Sequence, residues 1–448
     1  MTHAFRDPAA LTVLLTAHLP ICRKHHRRIS ACEIVEVIAG RRDKVFALAD
    51  VTLVDEVGVV VDRRLVLQAL PDQPSAAEEG AKIFRRLRQR VRKTSSRALF
   101  RPWAAYVRSE RLIVAPFPFD YRLPSLVAAC DQVGALEVLG PALGLPLSAC
   151  AVTAVRYVPE KRCQLRYDLA TQDGAQLRVY GKVMAGQRGG DMVRWMQTLH
   201  DRLAMSGVAR TPAPVGYLAR LKLLLQHEAP GRTIYELQFD GKAPAALYAD
   251  TGLALAAFQD TRLTGLDPYG ASDEHAMLVT TLRKDILAPA TRVTARALVE
   301  QLADSAPLLA DEPPVTCHRD FYDKQVLAGR GIWFIDLDTL AEAPAALDVG
   351  NFLAHLRLRR HQNLVPRDVA ATAATAFLSA YRRRRLISAS DTAWWTASAL
   401  IRLASVYAVR PRWVHLSTTL LADAQRELNR HFTRAHAADA GHGHASVA

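Results

Sequence analysis

Residues 315–339, VTCHRDFYDKQVLAGRGIWFIDLDT, constrain this chain more than any other stretch. They read as a short strand, a tight polar loop, a second strand at 326–328, a turn at Gly329-Arg330-Gly331 and a third strand at 332–335. Apolar runs this short make strands rather than helices, and the glycines reverse the chain between them. The runs hold the loops, and the loops carry His318, Asp320, Gln325, Asp336 and Asp338. Two carboxylates on neighbouring loops suit phosphoryl transfer, one accepting a hydroxyl proton and the other holding a divalent ion. That chemistry asks a protein for little beyond positioning and charge neutralisation.

The rest of the chain sets bounds on this reading. At 448 residues it has room for two or three domains, and with half its residues hydrophobic it is a globular protein. No apolar run reaches the roughly 18 residues that a membrane span needs. The run 11–21 is broken by His18 and reads as a buried helix, not a signal peptide. Six scattered cysteines without CxxC or zinc spacing fit reduced thiols and a cytoplasmic protein. Net charge is +14, yet residues 301–350 hold 3 Lys and Arg against 9 Asp and Glu. Residues 1–100 hold 18 against 11, and residues 351–448 hold 14 against 5. Carboxylates gathered in one segment of a basic protein point to a divalent-ion site, and the basic remainder attracts anions such as nucleotides.

His318-Arg319-Asp320, followed by Gln325, by Ile335-Asp336 and by Asp348 in LDVGNFLAHL, resembles the aminoglycoside phosphotransferase and choline kinase superfamily, relatives of the protein kinases. Each piece alone is common; together at this spacing they are specific. The family has Gly where Arg319 stands and a metal-binding Asn where Gln325 stands. The resemblance implies a kinase using ATP (or GTP) with Mg²⁺ on a small molecule. It implies Asp320 as base or orienting group for the acceptor hydroxyl, with His318 as a packed, hydrogen-bonded brace. Asp336 would bind Mg²⁺ with Gln325 as a weaker second ligand, and Asp348 would brace the catalytic loop.

Upstream, hairpin patterning predicts strands at 152–158, 163–169 and 176–184, with turns at 159–162 and 173–174. Lys182 on the third strand corresponds to the family's phosphate-contacting lysine, and Lys161 and Arg162 stand where a glycine-rich loop would be. The family's helix glutamate is missing from the helix expected at 191–203, where Asp191 is the nearest candidate. Gln226, Glu228 and Ala229 fall on the expected hinge that meets the nucleotide base. Beyond it, helices are expected at 244–263, 273–287, 293–303, 345–358, 366–381, 390–407 and 411–432.

Residues 1–110 carry no trace of this family. A helix at 8–18 and strands at 34–38, 45–53, 58–61 and 65–69 are expected, with turns at 40–43 and 62–63. The basic helix at 76–93 reads as a solvated face; an anionic partner is the less favoured reading, and no nucleic-acid motif supports one. The expected fold is therefore α+β: a bilobal protein-kinase-like fold, with a small antiparallel β lobe, a mostly helical large lobe and nucleotide between them, plus an extra N-terminal α/β region. The expected divisions are 1–110, a nucleotide-binding lobe at 111–230, a helical lobe at 231–433 and a disordered tail at 434–448. The expected partners are a nucleotide and a small hydroxyl-bearing, sugar-like acceptor. A pseudokinase or nucleotide-binding scaffold is the alternative.

Overall fold

Alternation of apolar and polar residues sets the first sheet. In the computed structural model, which describes residues 5, 7–40, 44–91, 97–186, 188–282 and 286–442, β1 (Arg28–Ala39), β2 (Val45–Val54) and β3 (Val60–Ala69) form an antiparallel meander. β4 (Ala105–Val107) and β5 (Leu112–Pro116) complete it in the order β1-β2-β3-β5-β4. The helix Pro8–His18 opens with the Asp7 side chain accepting from Ala9 N–H and with proline at its first position. Its Leu11 and Leu15 join Ala47, Ala49, Val51, Leu65 and Leu67 in one core. Phe46, Leu48 and Val66, on the opposite face of the same strands, enter a second core.

Two expectations fail here. Residues 62–63 do not turn but continue the strand: Asp62 accepts from Thr52 Oγ1 at 2.6 Å and Arg64 pairs with Asp50 at 2.7 Å on one face, while Arg63 on the other lies over the Trp103 ring at 5.5 Å. The reversal comes at 55–58, where Gly58 has φ of 89°. Nor does the chain divide near residue 110, because β4 and β5 are adjacent strands of the N-terminal sheet. The turn expected at 40–43 falls largely on residues outside those described.

β6 (Leu147–Val158), β7 (Arg162–Thr171) and β8 (Gln176–Met184) follow as consecutive hairpins. After β9 (Ala209–Arg210), β10 (Pro214–Leu218) and β11 (Leu223–His227) complete an antiparallel sheet ordered β10-β11-β8-β7-β6. β7 alternates strictly, with Cys163, Leu165, Tyr167 and Leu169 inward. These side chains share the core of Phe46, Leu48 and Val66. The N-terminal sheet and this sheet thus belong to one compact unit, Met1–Val193 with Pro214–Glu228.

The second unit, Arg194–Ala213 with Ala229–Ala448, is mostly helical. β12 (Arg232–Thr233), β14 (Val326–Gly329) and β15 (Gly331–Phe334) form a small sheet with β9, while β13 (Val315–Cys317) pairs with β16 (Ala341–Ala343). Around them run the helices Ala245–Gln259, Ala271–Leu282, Pro289–Ser305, Ala346–His361, Arg367–Arg384, Ala389–Ala408 and Leu416–His442. Gly350 permits one close crossing: a Cβ there would lie 2.7 Å from the backbone of Trp395 and Thr396. The last helix continues beyond residue 432 into the stretch expected to be a tail. Among the described residues no helix is long and apolar enough to cross a membrane.

Candidate active site

β13 and β16 pair in the register Val315↔Ala343 and Cys317↔Ala341, which ends the strand at His318. His318 is fully buried. Its backbone N–H donates to Asp348 Oδ2 at 2.8 Å, and Arg319 N–H donates to Asp348 Oδ1 at 2.8 Å. Nδ1 of His318 accepts from Asp320 N–H at 3.3 Å, leaving Nε2 as donor to the Ile335 carbonyl at 2.9 Å. Those two bonds fix the tautomer and tie the 318–320 loop to the loop after β15. Thr339 Oγ1 donates to His318 O at 2.8 Å and closes the third side.

Arg319 takes a left-handed backbone, φ of 65°, which glycine would adopt freely and which costs another residue about 1–2 kcal/mol. Its guanidinium lies 3.6 Å from the Tyr269 ring centre, and Tyr269 OH donates to Glu274 at 2.6 Å. The Asp348 bond and this stacking hold arginine in a glycine conformation. Asp348 itself is wholly buried, and burial raises its carboxyl above the ordinary value despite the N–H donors that lower it.

β14 and β15 pair from Val326↔Phe334 to Gly329↔Gly331, and Ile335 N–H donates to Gln325 O at 3.0 Å. Gln325 and Asp336 therefore leave the ladder side by side, with Gln325 Nε2 donating to Asp336 Oδ2 at 3.3 Å. Asp336 is also left-handed, with φ of 61°. Asp320, Asp336 and Asp338 are half-buried, and Gln325 is buried. Among the described residues no group of three or more His, Cys, Asp and Glu is arranged to hold a metal ion. A carboxylate beside a side-chain amide is the donor set to be weighed.

Further residues support this loop, and sequence reasoning passed over them. Asp323 and Arg359 form a buried two-pronged pair at 2.7 and 2.9 Å. Asn351 Nδ2 donates to Phe321 O at 3.0 Å, and Arg402 donates to Asn351 Oδ1 at 2.6 Å. Asn351 lies three residues after Asp348 on one helix face, a spacing that was open to reading. Asp323 and Arg359 lie 36 apart with no local signal. His355 stacks on Tyr322 at 4.3 Å; burial first, and Arg359 second, lower its pKa to about 3.

The other expected residues, Ala229 apart, lie in the first unit. Lys182 on β8 faces Gln164 on β7 and Leu224 on β11, and Gln164 faces Arg156 on β6. The same alternation puts Arg162 diagonal to Lys182 on the same face of the sheet. Gln226 pairs with Tyr180 near the end of β11, and Glu228 forms an ion pair with Arg178 at 2.8 Å. The first unit ends at Glu228 and the second resumes at Ala229. Asp191 lies in the first turn of the helix Gly189–Ser206.

Residues 170–387 match the model of the phosphotransferase enzyme family. Among solved structures, a choline/ethanolamine kinase family protein from Mesorhizobium loti is 12% identical, with 67% of this chain and 96% of that chain covered and a TM-score of 0.47. A fructosamine-3-kinase, assigned as such from Thermobifida fusca, is 16% identical over 66% and 98%, with a TM-score of 0.42. Amicoumacin kinase in complex with AMP-PNP and Ca²⁺ is 12% identical over 62% and 88%, with a TM-score of 0.45. No curated protein matches the chain.

Proposed function

We propose, from the match of residues 170–387 to the phosphotransferase enzyme family, that this protein transfers the γ-phosphoryl group of ATP, or GTP, to a hydroxyl of a small acceptor. The observation that carries the reading is the 318–320 loop, pinned by Asp348 and His318 next to the paired Gln325 and Asp336. In this reading the two units correspond to the sheet lobe and the helical lobe of a kinase-like enzyme.

Asp320 orients the acceptor hydroxyl and takes its proton as the oxygen attacks. His318 acts through the loop, since both ring nitrogens are engaged in holding it. Asp336, with the Gln325 side-chain oxygen, fits Mg²⁺, which takes one or two protein oxygens and completes its shell with phosphates and water. An ion held by Asp336 and Gln325 would supply charge neutralisation at the phosphate oxygens. Lys182 and Arg162 offer positive charge to the phosphates, and the chain at Gln226, Glu228 and Ala229 offers backbone groups to the base.

The acceptor is a neutral or anionic hydroxyl compound such as a sugar derivative. Sites that bury ammonium groups supply a carboxylate for each, whereas residues 351–448 hold 14 Lys and Arg against 5 Asp and Glu. A panel of sugars, nucleosides, amino alcohols and aminoglycosides, scored by ATP consumption, tests this. Turnover is expected with a neutral or anionic member, and efficient phosphorylation of kanamycin at micromolar concentration contradicts it. A second reading, a nucleotide-binding pseudokinase, draws on Gln325, whose amide already satisfies an Asp336 oxygen. It predicts Mg²⁺-dependent stabilisation by ATP with no turnover across the whole panel.

A further inference from the structure

The turn from β6 to β7 is built on Glu160, a non-glycine residue with φ of 61°. Tight turns commonly reserve that conformation for Gly, Asn or Asp. A buried network holds it. Asp120 Oδ2 accepts from Glu160 N–H at 2.8 Å and from Tyr157 OH at 2.6 Å. Asp120 Oδ1 accepts from the N–H groups of Arg122 and Leu123 at 2.6 and 3.0 Å. The Glu160 carboxylate accepts from Gln68 Nε2 at 3.2 Å and pairs with Lys44 Nζ at 3.5 Å. Lys44 also reaches Glu79 at 3.2 Å. Lys44, Gln68, Asp120 and Tyr157 are all buried, and the Glu160 side chain is 12% exposed.

Burying five polar groups is costly unless they satisfy one another, and a satisfied network fixes one geometry. Lys44 and Gln68 come from the N-terminal sheet, more than ninety positions from Glu160 in sequence. The residues they fix lead directly into Lys161 and Arg162. Lys161 N–H donates to Val158 O, and Ala185 N–H donates to Lys161 O, both at 3.1 Å, so the turn is tied to the end of β8 as well. Arg162 then lies diagonal to Lys182 on the same face of the sheet.

We infer that the N-terminal sheet is a fixed jaw of the nucleotide site, in which Lys44, Gln68 and Asp120 hold Glu160 so that Lys161 and Arg162 are pre-set to meet phosphates beside Lys182. The inference rests on the phosphotransferase reading. Glu160 is a positioning residue: it faces the protein and acts through the turn. A turn ordered before binding spares the nucleotide the cost of ordering it.

The test compares Mg-ATP affinity by calorimetry, KM for ATP, kcat and melting temperature in wild type, Lys44→Met, Glu160→Ala, Glu160→Gln and Glu160→Gly. Glycine adopts the left-handed backbone freely, so Glu160→Gly keeps the turn foldable while removing the clamp. Lys44→Met, Glu160→Ala and Glu160→Gly are expected to weaken Mg-ATP binding and raise its KM about tenfold, with kcat within twofold. Glu160→Gln, which still accepts from Gln68, falls between. Lys44→Met combined with Glu160→Ala is expected to be no worse than Glu160→Ala alone, the signature of one shared contact. A loss of melting temperature with unchanged nucleotide affinity in Lys44→Met and Glu160→Gly overturns the clamp and leaves the enzyme reading standing. A wild type that binds no nucleotide overturns both.

Discussion

The 318–320 loop and the β6–β7 turn are held by the same device. In each, a buried aspartate accepts the backbone N–H of a left-handed residue that is not glycine: Asp348 for Arg319, Asp120 for Glu160. The difference lies in where the support comes from. Asp348 follows its loop by 29 residues and belongs to the same segment as the carboxylates. Asp120 has helpers in a separate sheet, through Lys44 and Gln68. The loop assigned to the chemistry thus carries its own brace, and the turn assigned to the nucleotide borrows one. Damage to the two braces should therefore appear in different kinetic constants.

The largest effect sets the scale for that comparison. Asp336→Ala is expected to abolish Mg²⁺-dependent ATP binding, at least a hundredfold by calorimetry, with the fold retained because a half-buried metal carboxylate is seldom needed for folding. Binding as tight as wild type would remove Asp336 from the metal site. Asp348→Asn is next. Its amide turns an N–H toward one of the two donors it must accept from, which costs about 1–3 kcal/mol of stability. kcat is expected to fall more than tenfold while ATP affinity stays within twofold. Asp120→Asn sharpens the contrast, with ATP affinity expected to fall about tenfold and kcat to stay within twofold. If the two variants lose the same constant, the division of labour is wrong.

The smallest effect is on pH. His355 is buried, and burial first, then Arg359, lower its pKa from 6.5 to about 3. The fold favours the neutral ring, so its contribution is fully present above about pH 6.5 and is lost as pH falls toward 3. His361 acts with the same sign, lowered to about 4 by burial first and then by neighbouring arginines. Urea midpoints are expected to fall over that window, and His355→Gln is expected to flatten the slope. An unchanged slope in the variant would contradict the assignment.

What was legible in the sequence was local. The β6–β8 hairpins and the helix Pro8–His18 announce themselves by alternation, by a turn Gly or by a capping Asp. The strand–loop–strand unit of 315–339 is legible because its residues are contiguous. Asp62 and Arg63 were misleading because two adjacent charged residues look like a turn, whereas in the strand they take opposite faces, Asp62 accepting from Thr52 and Arg63 lying over Trp103. β2 and β3 hid their place because they are covered on two faces, and the second cover comes from residues 123–225. The Lys44–Glu160 and Asp323–Arg359 pairs join residues 116 and 36 apart, so composition and spacing do not reveal them. Arg319 in a left-handed backbone becomes intelligible only with Asp348 and Tyr269 in view.

The central claim is that Asp320 accepts the acceptor's hydroxyl proton, and Asp320→Asn tests it most directly. The amide keeps the shape and most of the hydrogen bonding, and the loop keeps its His318 and Asp348 supports. ATP affinity, melting temperature and turnover are measured on both proteins with an accepted substrate. Turnover is expected to fall by roughly two to four orders of magnitude, about 3–5 kcal/mol in barrier, with ATP affinity and melting temperature nearly unchanged. Turnover equal to wild type would make Asp320 a structural residue and contradict the account.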